Sequence, residues 1–159
     1  MDPILELVER NAKLTVPEVA QMLGQEPKIV GEKLASWERD GTIMGYQAII
    51  DPEKGGERNV TALIEVKIQP VRGGGFDHLA DRISRFDQVS SCYLMSGGYD
   101  LLVTVEGHDL RDVARFVAEK LSTLEGVLST ATSFQLKVYK QNGLLAKKEP
   151  GGERLSVTP

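Results

Sequence analysis

A short polar stretch, Ser96-Gly97-Gly98-Tyr99-Asp100, combines residue types that bind a small zwitterion. Glycines let a ligand approach backbone N–H groups, and such groups bind a carboxylate without a cationic side chain. The Asp100 carboxylate can accept hydrogen bonds from an ammonium group. A free amino acid carries both charges, so the stretch predicts an amino-acid site. Gly-Gly is also a standard two-residue hairpin turn, and that explanation of the glycines stays open.

A second set of candidate residues lies on a predicted helix that begins at Pro27. Phosphate contacts dominate the affinity of proteins for nucleic acid, and cations on one helix face supply them. The charge of this region argues against binding to nucleic acid, because residues 1–56 carry six Lys/Arg against ten Asp/Glu, a net charge of −4. A specific binder can still concentrate a few polar groups on one face. The predicted DNA-contacting residues are Lys28, Lys33, Ser36 and Arg39.

Two short helices joined by a glycine-containing turn would position these residues. Thr15 and Glu18 match a capping box, and Gly24 stands where a helix ends in a left-handed residue. This spacing is typical of a helix-turn-helix, in which the second helix lies in the major groove. An ordinary αα-hairpin has the same spacing, so both interpretations stay open. The predicted buried positions of the two helices are Val19, Ala20, Leu23, Ile29, Val30, Leu34 and Trp37.

The chain around this motif predicts two domains. A helix that begins at Pro3 would complete a trihelical core, and 43–50, rich in β formers, is expected to be a strand. The polar, glycine-containing run 52–59 is typical of a linker. Beyond it, the periodicity predicts strands at 60–70, 89–96, 100–106 and 127–140 and helices at 76–85 and 109–123.

That β-α-β-β-α-β order is the ferredoxin-like arrangement, an antiparallel sheet with both helices on one face. The other face must be covered or solvated. We expect Leu63, Tyr93 and Phe134 to lie there, where sheet-to-sheet dimerisation would bury them. The remaining residues, 141–159, include both positive and negative side chains, glycine and proline, and are expected to be disordered.

Catalytic and metal-binding chemistry finds little support in the sequence. His78 and His108 have no chelating spacing, and the lone Cys92 in a predicted strand is typical of a small buried hydrophobe. The three glycines at 73–75 lack the Lys-Ser/Thr of a phosphate loop. We therefore expect no enzyme activity, no metal and no cofactor. The single cysteine, the absence of a long apolar run and an amphipathic start favour a cytoplasmic protein without signal peptide or membrane span.

Three runs carry a resemblance to a known family: ILELVERNAKLTVPEVAQMLG at 4–24, PKIVGEKLASWERDGTI at 27–43 and GYQAIID at 45–51. They resemble the DNA-binding half of the Lrp/AsnC, or feast/famine, transcriptional regulators, and the resemblance continues through Tyr139. It implies that the hairpin with Gly97, Tyr99 and Asp100 lines an effector pocket between dimers, with Thr132 on the other wall. It also implies dimers paired through their sheets and larger assemblies such as octamers. Glu26 and Glu32 depart from the family pattern.

The sequence thus predicts an α+β protein. Residues 1–51 form a helix-turn-helix, winged-helix-like domain, 52–59 a linker, 60–140 a ferredoxin-like domain for effector binding and oligomerisation, and 141–159 a tail. The predicted function is a DNA-binding transcriptional regulator that senses a small effector, an amino acid. The alternative is a ligand-binding module whose helix-turn-helix has lost strong DNA affinity and serves assembly. The predicted partners are double-stranded DNA, the effector and further copies of the chain, with no membrane. The predicted effector-binding residues are Ser96, Gly97, Gly98, Tyr99, Asp100 and Thr132.

Overall fold

The computed structural model describes residues 1–52, 54–56, 59–70 and 75–146. It divides into two compact units, Met1–Ile49 and Ile50–Pro159. Residues 53, 57 and 58 of the predicted linker, 71–74 of the predicted glycine loop and 147–159 of the predicted tail lie outside the described residues.

The first unit is a bundle of three helices, α1 (Pro3–Arg10), α2 (Val16–Leu23) and α3 (Pro27–Asp40). Ile29 was expected on its buried side but is 46% exposed, because it lies on the flank of α3 rather than on the stripe through Val30. The core consists of Ile4, Val8, Val19, Ala20 and Val30, with Leu7, Leu14, Val16, Leu23, Leu34 and Trp37 partly buried around it.

Local signals fix where α2 begins and where α2 and α3 end. The Thr15 N–H donates to Glu18 Oε2 at 2.7 Å, as the capping-box pattern predicts. The Thr15 hydroxyl donates to the same oxygen, also at 2.7 Å. Gly24 and Gly41 follow α2 and α3 with φ of 61° and 81°. These left-handed conformations favour glycine and end both helices at the predicted positions.

The strand predicted at 43–50 is wrong, since the structure has no strand there. Hydrogen bonds connect this segment to α3. Ile43 N–H donates to the Trp37 carbonyl at 2.9 Å, and Tyr46 Oη donates to Glu38 Oε1 at 2.8 Å. Burial and the neighbouring Glu38 carboxylate raise the pKa of Tyr46. A strand needs a paired neighbour, and no described residue pairs with this segment.

The second unit has the predicted βαββαβ order and one four-stranded sheet. Its strands follow the order β2-β3-β1-β4, and every neighbouring pair is antiparallel. The bounds are β1 Val60–Ile68, α4 Asp77–Ser84, β2 Val89–Leu94, β3 Leu101–Gly107, α5 Leu110–Phe116 and β4 Val127–Phe134.

One face of this sheet forms the core. Alternate residues of β1 and β3 point to it, and α5 continues as a π-helical turn, Val117–Leu121, that also packs there. The helical periodicity of 109–123 predicts one apolar side with Leu110, Val113, Ala114, Val117 and Leu121. Val113 and Leu121 are buried there together with Phe116, whereas Leu110 and Ala114 are exposed. The buried strand residues are Ala62, Ile64, Val66, Ile68, Leu101, Val103 and Val105.

The end of the chain differs from the prediction in two ways. β4 ends at Phe134, and Phe134 pairs with Ala62, so its side chain lies on the helix side of the sheet rather than on the opposite face. A small hairpin of β5 (Lys140–Gln141) and β6 (Leu144–Leu145) then occupies the start of the predicted disordered tail. Asn142 and Gly143 turn this hairpin with φ of 46° and 84°, as a type I′ turn requires.

Candidate functional sites

The outer side of α3 carries exposed polar residues opposite its buried stripe. At 3.6 residues per turn, Lys28 and Arg39 lie almost directly opposite Val30, and Ser36 lies beside them. All three side chains are exposed, and Arg39 Nε donates to the Ala35 carbonyl at 3.2 Å. Glu32 is exposed on the same side, between the two cations. This surface, formed by Lys28, Ser36 and Arg39 with Glu32, is the α3 outer face.

Lys33 is not part of the α3 outer face, although the sequence placed it there. Its ammonium contacts the Asp2 carboxylate at 2.9 Å and lies 5.9 Å from the centre of the Trp37 ring. Asp2 is 31 residues away along the chain, so no local pattern predicts this contact. The contact leaves the Lys33 side chain 43% exposed, and its role in DNA binding stays a prediction.

The loop between β2 and β3 is longer than a two-residue turn. Met95 N–H donates to the Asp100 carbonyl at 2.8 Å and encloses four residues, 96–99. Gly97 has a φ of 152°, which disfavours other residues, and a Cβ at Gly97 or Gly98 would have no atom within 4 Å. Among the described residues, nothing accepts a hydrogen bond from the N–H groups of these glycines. The loop therefore presents donors to open space, as an anion site needs.

Asp100 ties this loop to the end of the central strand. Its backbone N–H donates to the Val66 carbonyl at 3.0 Å, and its Oδ2 accepts from the Ile68 N–H at 2.8 Å. The second carboxylate oxygen, Oδ1, makes no hydrogen bond or ion pair with the described residues. Tyr99 and Asp100 are half-buried, whereas Ser96, Gly97 and Gly98 are exposed.

The structure does not bring Thr132 next to this loop within one chain. Thr132 pairs with Ile64, whereas the loop meets β1 at Val66 and Ile68. With strands roughly 4.8 Å apart, β4 lies about 10 Å to the side of β3, and Thr132 is further from the sheet end. The part of β4 nearest Asp100 is instead Val127, which pairs with Ile68, followed by the exposed Leu128 at a bulge. No signal in the sequence marks Leu128.

Comparison with known proteins decides the family. Residues 61–145 match the family model of the Lrp/AsnC ligand-binding domain. YugG of Bacillus subtilis (strain 168), an HTH-type transcriptional regulator by its name, is 45% identical over 98% of this chain and 95% of its own length. The chain belongs to the Lrp/AsnC family of transcriptional regulators. The leucine-responsive regulatory protein of Haemophilus influenzae is 29% identical over 91% of this chain and 87% of its own length.

Solved structures agree with the Lrp/AsnC fold. A transcriptional regulator of Neisseria meningitidis, solved as its L-Met complex, has a TM-score of 0.68 and 26% identity and covers 87% of this chain and 89% of its own. Escherichia coli AsnC has a TM-score of 0.63 at 21% identity, with 93% and 95% of the two chains covered. The predicted α+β architecture is thereby confirmed.

Other features of this Lrp/AsnC chain do not form the predicted site. A surface cavity of about 540 Å³ lies at the opposite end of β3 from the glycine loop, and another of about 370 Å³ lies within the helical unit. In the described part of the chain, no group of three or more His, Cys, Asp or Glu could hold a metal ion. His78 and His108 are exposed, and burial raises the pKa of the half-buried Cys92 thiol. No helix among the described residues could span a membrane.

Proposed function

We propose that this chain binds duplex DNA through the α3 outer face and that its second unit binds a small effector, an amino acid. The observation that carries the DNA half is the row of exposed Lys28, Ser36 and Arg39 opposite the buried stripe of α3. In a helix-turn-helix, this side of the second helix enters the major groove. DNA as a partner and a single cysteine suit a protein of the cytoplasm.

The side chains of the α3 outer face have different roles in this proposal. Lys28 and Arg39 stand at the two ends of the helix and contact phosphates, which fix the position of the helix on the duplex. Ser36 lies closer to the middle, where a short hydroxyl can bond to a base edge or to a phosphate. Of the four predicted DNA contacts, Lys33 is left out of this face, because its ammonium group contacts the Asp2 carboxylate.

A second candidate function has support from the same surface. Glu32 places a carboxylate between Lys28 and Arg39, where it repels phosphates, and residues 1–56 carry a net charge of −4. A helix-turn-helix with weak DNA affinity would then serve assembly, while the second unit keeps its ligand. Binding to duplex DNA separates these two functions.

The test is a titration of fluorescent duplex DNA, at low and moderate salt, with the wild type and a Lys28→Ala/Arg39→Ala variant. Each phosphate contact makes the plot of log affinity against log salt steeper by about 0.9. The variant should therefore bind more weakly, and its plot should be shallower by roughly two units of slope. Arg10→Ala/Lys13→Ala, two exposed cations outside α3, is the matched control. Equal affinity of wild type and α3 variant, or an equal loss in the control, would refute the DNA interface.

The amino-acid half of the proposal rests on the loop between β2 and β3. The N–H groups of Gly97 and Gly98 suit a carboxylate, and Asp100 Oδ1, two positions beyond Gly98 in the same loop, suits an ammonium group. The Neisseria relative solved with L-Met is a ligand complex of the same class. Because the loop is open on a single chain, a second copy of the chain would have to cover the ligand.

A further inference from the structure

Asp2 uses its two carboxylate oxygens for two different contacts. Oδ1 accepts from the Ile4 N–H at 2.9 Å and caps α1. Oδ2 accepts from the Lys33 ammonium at 2.9 Å. The two contacts join the first turn of α1 to the middle of α3, although the residues are far apart in sequence. The contact of Oδ2 with Lys33 can therefore be removed by a substitution that keeps the cap on α1.

Lys33 stands at the border between the buried stripe of α3 and its exposed side. Residues three and four positions apart are neighbours on a helix, so Lys33 adjoins Val30 and Trp37 on one side and Ile29 and Ser36 on the other. Val30 is fully buried, whereas Ile29 and Ser36 are exposed. A lysine side chain has four rotatable carbons and can extend to either side. Its side chain is 43% exposed in the contact with Asp2.

We propose that Asp2 withholds Lys33 from DNA, so that the N-terminus of α1 restrains the affinity of α3 for duplex DNA. This inference rests on the proposed DNA-binding function of α3. The ammonium group has three donors, so the competition comes from the direction of the side chain: in contact with Asp2 it lies over the Trp37 ring and does not extend toward the α3 outer face. A phosphate contact releases a condensed counterion, so a Lys33 side chain freed from Asp2 would raise the affinity for DNA, and the ion pair with Asp2 withholds that gain.

Asp2→Asn separates the two contacts of this side chain. Asparagine caps helices as well as aspartate does, so Oδ1 keeps the bond from the Ile4 N–H. The amide NH₂ replaces Oδ2 and cannot accept from an ammonium group. The matched control is Glu9→Gln, which removes one negative charge from an exposed position on the same helix. Lys33→Ala and Asp2→Asn/Lys33→Ala complete a double-mutant cycle.

The experiment measures duplex affinity of these full-length, untagged variants across a salt series. Asp2→Asn should bind up to about fivefold more tightly at about 0.1 M salt, with a slope steeper by up to about 0.9, because Lys33 is free to gain a phosphate. Glu9→Gln should gain less without a change of slope. Lys33→Ala should differ from wild type by less than about twofold, and it should abolish the gain when combined with Asp2→Asn.

Three results would overturn the inference. Asp2→Asn binds no more tightly than Glu9→Gln, its gain survives in the double variant, or Lys33→Ala alone weakens binding as much as Lys28→Ala. If Asp2→Asn lowers the melting temperature, Asp2→Ser is the second variant, because its short hydroxyl caps α1 and cannot reach Lys33. Failure of the proposed function is distinct: the Lys28→Ala/Arg39→Ala variant then binds like wild type. A loss there with a silent Asp2→Asn contradicts only the restraint.

Discussion

Asp100 combines a structural contact with a proposed ligand contact in one side chain. Its Oδ2 accepts from the Ile68 N–H at the end of β1, and its Oδ1 makes no hydrogen bond or ion pair with the described residues. Removing the whole carboxylate therefore disturbs the fold as well as any bound ammonium group. A substitution that keeps one acceptor oxygen tests the ligand contact alone.

Asp100→Asn and Asp100→Ala should differ in stability. The asparagine oxygen can still accept from the Ile68 N–H, whereas alanine leaves that N–H without its partner, at a cost of about 1 kcal/mol. For a domain of this size, that cost lowers the melting temperature by roughly 4–8 °C. Thermal unfolding followed by circular dichroism measures both variants against wild type. Equal melting temperatures for Asp100→Ala and Asp100→Asn would show that the hydrogen bond contributes nothing to stability.

Single residues show where sequence reasoning reaches its limit. The residue types at 97–100 predicted an exposed loop with backbone donors, and the structure has both. The partner of Lys33 could not be predicted, because Asp2 contacts it only after α1 has packed against α3. Thr132 was taken from the resemblance, and its distance from the loop depends on the register of β4 against β1. Local patterns carry no information on such long-range placement.

At the scale of elements, hydrophobic periodicity predicted both units, because each amphipathic segment buries its apolar side in a local core. It failed at 43–50, since β propensity gives no strand without a paired neighbour. It also failed at the end of the chain, where the strong hairpin signal Asn142-Gly143 has no periodic apolar pattern around it. Two-residue strands are too short to show alternation.

Helix caps make the stability of this protein depend on pH. Hydrogen bonds from the Thr15 N–H and hydroxyl lower the pKa of Glu18 from its usual 4.5. The hydrogen bond from Lys33, together with the Ile4 N–H, lowers the pKa of Asp2, and the Asp112 N–H lowers the pKa of Asp109. A carboxyl group with a lowered pKa stabilises the fold above its unfolded value, and this contribution is lost as the pH falls through the folded value.

These three carboxyl groups should therefore lower the melting temperature as the pH drops below about 4.5. Between pH 5 and pH 7 they stay ionised and should leave it nearly constant. Glu18→Gln can keep the capping box without a titrating group, so its melting temperature should fall less over the same acid range. Melting curves of both proteins between pH 7 and pH 3 measure the difference. Identical pH profiles would contradict a role for Glu18 in acid sensitivity.

At the scale of the whole molecule, the sheet face opposite α4 and α5 has no cover from the described residues of the second unit itself. Tyr93 on this face is 57% exposed, and the half-buried Leu63 and Leu102 lie on the same side. Phe134 no longer belongs to this face, because it pairs with Ala62 on the helix side. The remaining apolar residues are the surface that we propose for pairing with a second copy of the chain.

Assembly and effector binding are then coupled, because a ligand on the open loop at Gly97 and Gly98 would contact two subunits. We expect at least a dimer, and an octamer by resemblance, in sedimentation velocity at micromolar concentration. Tyr93→Lys should lower the mass, since it introduces a charge into the pairing face, whereas Ala118→Lys, exposed on the π-helical turn, should not.

Addition of each of the twenty amino acids should reveal one that shifts the mass and the duplex affinity, because a coupling of about 1–3 kcal/mol changes either by roughly 5- to 150-fold. Asp100→Asn should remove that response and keep the basal affinity. A monomer mass would contradict the assembly, silence of all twenty would contradict amino-acid sensing, and a full response of Asp100→Asn would place the ligand elsewhere.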